Sequence, residues 1–350
     1  MAFASETAWT NLPNGNFSPV IYSKQAQIAF RKSATAAAIT NSDYFGEIAN
    51  QGDTVRIIKE PEITVNSLKR GTPLVSQALN DADFSLVIDQ ANYFQFELDD
   101  IEEAHSHIDF MRMATDRAGY RLADTYDLEV LAYMSGYNAD GTARTAPNGT
   151  KADSAAGADE LLAANKLDIT SFGNITTAGS AGDSIPVAPR LGGAQSASTT
   201  TATPLQILAR MGRLMDQRNV DTRGRWVVVD PVFVELLKDE DSRLLNADFG
   251  GAGLQNGLVL NNLHGFRVYV SNNTVQVGTG SGTSGATAQS TNYGVLVAGH
   301  DSAVATAEQI NKVESFRSQT AFADVVRGAH LYGRKILRPE AIVTANYNAA

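Results

Sequence analysis

Apolar and polar positions divide the chain into a stretch that reads as extended and one that reads as helical. From Gly52 to Leu98 the pattern is extended, with apolar residues alternating in short runs. Val55 and Ile57, then Ile63 and Val65, lie on one limb, and Phe84, Leu86 and Ile88, then Phe94, Phe96 and Leu98, lie on the other. Period two marks half-buried strands. Between the limbs, Ser67-Leu68-Lys69-Arg70-Gly71-Thr72-Pro73 carries the Gly and Pro of a turn, so the whole reads as one long hairpin. A two-stranded ribbon has no third layer to cover its apolar face and is marginal alone in water. A neighbouring copy is therefore expected to cover it, with Leu68, Lys69, Arg70, Gly71, Thr72, Pro73, Leu74, Phe84, Leu86, Phe94 and Phe96 as candidate interface residues. Pro61 removes one ladder donor and predicts an edge or a bend in the first limb.

The period changes at Asp99. Ala104, Ile108, Met111, Ala114, Ala118, Leu122, Thr125 and Leu128 recur at steps of three and four, a stripe down one helical face. Asp99 or Asp100 can accept from the free amides at the start, Glu102 and Glu103 suit the positive end of the dipole, and Gly136 can take the left-handed stop. The spacing predicts one helix from Asp99 to Gly136, on the order of 50 Å long and longer than a compact domain needs.

Before the hairpin, residues 1–50 read as an arm whose Ala-rich stretch, Lys24 to Ile39, is helix-competent but has little of its own to pack on. Residues 137–202 turn to Gly, Ala, Ser, Thr and Asn and read as a surface insertion, with a short helix around Asp159 to Lys166. Thr203-Pro204 then caps a helix bearing Leu205, Leu208, Met211 and Met215. Trp226-Val227-Val228-Val229 reads as a buried strand, and Asp230-Pro231 opens a helix through Leu237, so these parts form a small α/β unit. Further strands are expected at Gly265 to Asn272, Tyr293 to Val297, Phe322 to Gly333 and after Arg338-Pro339, and no repeat is visible.

Composition narrows the function classes. With 350 residues, 43% of them hydrophobic, the chain can bury a substantial core. A formal charge of -10 argues against a protein whose affinity comes from neutralising phosphates. Such a surface can stand beside packed DNA without adhering to it. With no cysteine there is no disulfide framework and no thiolate metal site, which fits assembly in a reducing cytoplasm. The first residues lack the pattern of a signal peptide, and no apolar run approaches the roughly 20 residues that cross a bilayer.

The order of arm, long hairpin, long helix and mixed α/β region resembles the major capsid protein of tailed bacteriophages, a fold shared in outline with herpesvirus shells and encapsulins. Three phrases look like recurring phrases of that family: Gly265-Phe266-Arg267-Val268-Tyr269-Val270-Ser271-Asn272, Tyr293-Gly294-Val295-Leu296-Val297-Ala298-Gly299-His300 and Arg338-Pro339-Glu340-Ala341-Ile342-Val343. The resemblance runs from about Gly52 to the C-terminus and leaves 137–202 unmatched. It implies an α+β fold divided into an arm (1–50), an extended hairpin loop (51–98), the spine helix of a peripheral domain (99–136), the insertion (137–202), a mainly axial domain (203–312) and a C-terminal return to the peripheral domain (313–350). It further implies hexamers and pentamers closing into an icosahedral shell around double-stranded DNA, in a virion assembled in the host cytoplasm.

Partners implied are other copies of the chain, a separate scaffolding protein, a portal and decoration proteins, with DNA present by proximity only and no membrane. Some relatives carry an N-terminal scaffolding segment, for which the early hairpin leaves no room. Others cross-link through a hairpin lysine. Lys69 sits near the tip, where a single lysine is more often a solvated charge.

Other chemistry is sparse, and no cofactor is expected. Glu102-Glu103-Ala104-His105 holds one Glu-x-x-His, but a di-iron bundle needs a second copy, and helix-dipole compensation accounts for the acids. His300-Asp301 lies near serines without a Gly-x-Ser-x-Gly elbow, and the glycines at 250–257 make no phosphate loop. Arg210, Arg213, Arg218, Arg223 and Arg225 alternate with Asp216 and Asp221, which favours ion pairs over a DNA surface. A cargo compartment of the encapsulin type and an α/β metal enzyme using Glu102 and His105 stay open as alternatives.

Overall fold

A computed structural model describes residues 34–42, 54–59, 63, 65–67, 70–71, 76, 82–99, 110–142, 160–172, 184–188, 201–238, 262–277, 293–318 and 322–349. The strands are β1 (Thr54–Lys59), β2 (Ala82–Asp99), β3 (Lys166–Leu167), β4 (Ile185–Val187), β5 (Arg225–Val229), β6 (Asn262–Leu263), β7 (Phe266–Val270), β8 (Gln276–Val277), β9 (Tyr293–His300), β10 (Val304–Arg317), β11 (Ala323–Ile336) and β12 (Ile342–Ala349). The α-helices are α1 (Ala36–Ile39), α2 (Phe110–Ser135), α3 (Pro204–Gln217) and α4 (Pro231–Lys238). Two sheets result, one ordered β1-β2-β11-β10 and one ordered β3-β12-β9-β5-β7-β6, the latter with β4 on β12 and β8 on β9. The mixed α+β class expected from the sequence is the one observed.

Strand β5 shows how the second sheet holds together. All five of its residues are buried, and they alternate between two cores. Val227 and Val229 face Ile207, Leu208, Met211 and Met215 of α3 and Phe233 and Leu237 of α4. Trp226 and Val228 face Val130, Leu131 and Met134 of α2 together with Ile39 of α1. A strand covered on both faces reads as an unbroken apolar run, which is why its position was legible. Thr203 caps α3 as expected: its Oγ1 accepts from the Gln206 amide at 3.3 Å, and Gln206 Oε1 accepts from the Thr203 amide at 3.1 Å. The hairpin β6–β7 turns through His264 and Gly265, both with positive φ, which suits the twist of a two-residue turn.

The chain changes sheets at His300 to Ala303 and returns at Leu337 to Ala341. Leu337 and Arg338 both donate to the Ala303 carbonyl, at 2.9 and 3.2 Å. Asn165 Nδ2 donates to the carbonyls of Pro339, Glu340 and Ile342. β10 thus joins the first sheet at Val304, and the final strand β12 lies in the second.

Several expectations change. Among the described residues the hairpin limbs pair from Thr54↔Val87 to Lys59↔Ala82, while the remainder of β2, through Asp99, pairs with β11. The ribbon therefore has neighbours within its own subunit, and β2 is an internal strand. Asp99 ends β2, and α2 is described from Phe110, its 26 residues spanning about 39 Å; residues 100–109, where the expected cap and first turn fall, lie outside the described residues. Gly136, with φ 82°, does supply the stop.

The Ala-rich stretch does have packing. Of it, α1 is described, and Ala36 and Ile39 are buried against α2 and β10 while residues 24–33 lie outside the described residues. The segment 137–202, expected at the surface, contributes β3 and β4 to the second sheet and buries Leu167, Phe172, Ile185, Val187 and Ala202 in its core.

Candidate assembly surfaces

The first sheet presents the most exposed apolar surface. Cross-strand partners share a face, so Tyr93, Ala329 and Lys312 lie on one side and Phe94, Gly328 and Val313 on the other, beneath or beside α2. On the open side Tyr93 is 81% exposed, and Phe316 is 41% exposed under the Arg327 guanidinium, 4.9 Å from its ring centre. Lys312 and Arg327 both donate to Glu314 and hold its carboxyl below the usual range. Met111, Ser315, Phe316, Arg317, Asp324 and Val326 line an open groove of about 400 Å³ between α2 and the outer end of the β10–β11 hairpin.

β11 is flanked by two bulges at one level. Opposite the step from Tyr332 to Gly333, β2 carries the extra residue Asp89, and opposite the step from Leu331 to Tyr332, β10 carries the extra residue Gln309. Below them Leu86 and Ile88 pack with Ala305 and Ala307; above them the sheet's other face turns toward α2. At this level Tyr332 OH donates to Glu129 of α2, Asn92 Nδ2 donates to the same carboxylate at 3.2 Å, and Arg334 donates to the Glu129 carbonyl. His330 stacks on Tyr332, meets the edge of Tyr126 and lies 3.5 Å from Glu308.

The expected interface residues divide into three groups. Arg70 and Gly71 form an exposed turn, with Gly71 at φ 92°, while Leu68, Lys69, Thr72, Pro73 and Leu74 lie outside the described residues. Phe94 and Phe96 are half-buried and stack with ring centres 6.1 Å apart, and Phe94 lies across Gly328, where a methyl group would come within 2.4 Å of its ring. The backbone of Phe84 pairs with Ile57. Leu86 is a correction: it is fully buried in its own subunit under β10 and cannot meet a neighbour as placed. Sequence reasoning missed β10 altogether, because Gln309 breaks its alternation and its outer half is exposed on both faces.

The catalytic and metal candidates resolve into structural roles or fall outside the described residues. His300 Nε2 lies 2.8 Å from the Arg223 carbonyl and Nδ1 lies 2.9 Å from Ser302 Oγ, so the ring locks the turn between sheets. Arg267 pairs with Asp301 beside it. In the arginine cluster, Arg225 is buried and bonds the Val220 and Asp221 carbonyls and Asp216, while Arg210 covers the Phe172 ring. Glu102, His105 and the glycines at 250–257 lie outside the described residues; among those described, no three His, Asp or Glu converge on a metal position.

A family model described as phage capsid protein matches residues 160–345. The chain belongs to the phage capsid protein family. The match begins at 160, so much of the segment taken as an unmatched insertion is part of the family's shared region. Among solved structures, this capsid protein is similar to a chain from Mycobacterium phage Che8, with TM-score 0.66 and 24% identity over 94% of this chain and 97% of that one.

It is similar as well to a chain from the capsid of Cyanophage P-SCSP1u, with TM-score 0.64 and 19% identity over 95% and 94%. A third is from the mature capsid of bacteriophage PhiM1, with TM-score 0.61 and 15% identity over 94% and 91%. No curated protein matches the chain in sequence. The protein is a structural major capsid protein, and its place is the capsid of the virion.

Proposed function

We propose that this capsid protein forms hexamers and pentamers that close around double-stranded DNA, with the hairpin tip of each copy laid over an adjacent copy. The observation that carries the reading is the exposure of the hairpin: Ile63 is 67% and Val65 95% exposed, although both are apolar and β-branched. Their cost in water is offset when a neighbour covers them, and many such contacts per subunit add by multivalency. Leu68, Lys69, Arg70, Gly71, Thr72, Pro73 and Leu74 form the overlapping tip, and the Phe84, Phe94 and Phe96 region forms its base.

A separate scaffolding protein and a portal set curvature and the unique vertex, and decoration proteins bind the finished surface. The net charge of -10 supports a lining that DNA approaches without tight binding. The absence of cysteine supports assembly in the host cytoplasm. The test is deletion of Leu68 to Val75, followed by electron microscopy of the high-mass fraction. Wild type is expected to give closed particles with five- and six-fold views; the truncated chain is expected to keep its far-ultraviolet circular dichroism and fail to close. Normal closure by the truncated chain would refute the overlap.

A further inference from the structure

We propose that His300 is a proton-sensitive latch on the crossover between the two sheets: its neutral ring ties the crossover to the α3–β5 turn, and protonation of the ring releases the tie.

The hydrogen bonds fix which form of the ring the fold holds. Ser302 N–H donates to His300 Nδ1 at 3.2 Å, and a backbone amide can only donate, so Nδ1 carries a lone pair. Nε2 lies 2.8 Å from the Arg223 carbonyl, which can only accept, so Nε2 carries the hydrogen. Ser302 Oγ, 2.9 Å from Nδ1, then donates to it as well. The neutral Nε2–H tautomer makes all three contacts at once. A proton added at Nδ1 sets one N–H against the N–H of Ser302. The hydroxyl can turn and accept, but the amide cannot, so the charged ring no longer fits the turn. It has little room to adjust in place, because it lies against the backbone of Gly224, where a methyl group would come within 3.2 Å of Nε2 and 3.0 Å of Asp301 Oδ2.

The charges around the ring come in opposed pairs. Asp301, on the same turn, is paired with Arg267 of β7. Arg225 of β5, the cross-strand partner of His300, bonds the Val220 and Asp221 carbonyls and pairs with Asp216. On the α3–β5 turn, Asp221 accepts from the Arg223 amide at 3.0 Å and sits in the field of both Arg223 and His300. Among the described residues each carboxylate near the ring thus has a guanidinium near it, and the hydrogen bonds decide which form fits.

The latch holds the path between the sheets. Ala303 N–H donates to the His300 carbonyl at 2.9 Å, and the Ala303 carbonyl accepts from Leu337 and Arg338, so the outgoing and returning crossovers meet at this turn. When the ring leaves, the backbone bond from Asp301 N–H to the Gly224 carbonyl, 3.2 Å, remains. An imidazole gains its charge between about pH 8 and about pH 5. The tie is therefore complete above that range and is lost as pH falls through it, which makes the set of the two sheets in the capsid subunit responsive to acid.

Hydrogen exchange followed by nuclear magnetic resonance, on the full-length unassembled chain, reads the latch at its own amide. Protection of the Ser302 amide, relative to its unstructured rate, is expected to fall by about tenfold or more between about pH 7.5 and about pH 5, the weight of one hydrogen bond, while that of Val297 within β9 stays unchanged. His300→Asn keeps an acceptor near the position of Nδ1 but cannot take up a proton, and is expected to protect Ser302 equally at both pH values. The ring nitrogen shifts of wild type give a second reading that needs no variant: the Nε2–H tautomer at neutral pH, with the charged ring and the loss of Ser302 protection arriving together on acidification. A Nδ1–H tautomer at neutral pH, unchanged Ser302 protection beside a charged ring, or an equal fall in His300→Asn would each overturn the latch. Should the variant not fold, the wild-type reading decides alone.

Discussion

The side-chain amide of Asn273, in the turn after β7, donates to the buried carboxylate of Asp127 on α2 at 2.9 Å. The other oxygen of that carboxylate accepts from the Thr35 and Ala36 amides, each at 2.6 Å, at the start of α1. One side chain therefore ties the arm, the long helix and the second sheet together, across 92 residues on one side and 146 on the other. Asn273 bonds Asp124 as well, which extends the tie one turn along α2.

Replacing Asp127 with Ala leaves three buried donors without their acceptor. Each buried donor left unmade costs about 1–3 kcal/mol, so Asp127→Ala is expected to destabilise the subunit by roughly 3 kcal/mol or more. Asp127→Asn, which keeps one acceptor oxygen, is expected to lose less. Urea unfolding of unassembled chain measures both, and equal losses would show that the carboxylate is not what joins the three segments.

Arg225 makes a contrasting case, because its two partners differ in exposure. Its guanidinium is 6% exposed and bonds two backbone carbonyls at the α3–β5 turn, whereas its partner Asp216 is 63% exposed. Arg225→Ala is expected to cost about 2 kcal/mol through the two orphaned carbonyls. Asp216→Ala is expected to cost below about 1 kcal/mol, since the ion pair is screened on its acidic side. A larger loss for Asp216→Ala, read from thermal unfolding, would put the weight on the ion pair instead.

These contacts mark where the sequence was readable. Elements with one strong period and local signals were legible: β5 as an apolar run, α3 from Thr203 and Pro204, and the stop of α2 at Gly136. The stripe on α2 was legible too, since Met111, Ala114, Ala118, Leu122, Thr125 and Leu128 are all half-buried while Arg112, Asp116, Arg117 and Arg121 are exposed. Pairing was less so. β2 reads the same whether its partner is β1 or β11, because alternation reports one buried face and not what covers it. Asp89 and Gln309 hide the register further by reversing the buried face within a strand. Leu167, Ile185 and Val187 were missed because strands of two or three residues are too short to show a period.

Glycines on β11 separate close backbone approach from aromatic cover. A methyl group on Gly333 would come within 2.4 Å of the Val87 carbonyl oxygen, a main-chain atom fixed in the sheet beside the Asp89 bulge. A methyl group on Gly328 would meet the Phe94 ring, which can rotate aside. Gly333→Ala is expected to destabilise by about 2–3 kcal/mol and Gly328→Ala by about 1 kcal/mol. Phe94→Ala is expected to relieve the second and not the first, and a double-mutant cycle in urea measures the difference.

Burial sets an alkaline limit through Tyr126. The ring meets the stacked His330 and Tyr332 edge-on, and burial pushes its hydroxyl from 10.0 up to about 12, with a hydrogen bond to Thr306 acting in the opposite direction. The folded state thus favours the protonated phenol. Its contribution is complete below pH 10.0 and is lost as pH rises through about 12, because the unfolded phenol ionises first. The loss amounts to roughly 2–3 kcal/mol across that window. Tyr126→Phe cannot ionise and is expected to flatten the fall in stability between pH 10 and pH 12 while leaving the neutral region nearly parallel to wild type. Denaturant titrations of unassembled chain at stepped pH provide the measurement. An alkaline limb as steep in Tyr126→Phe as in wild type would assign the transition to other groups.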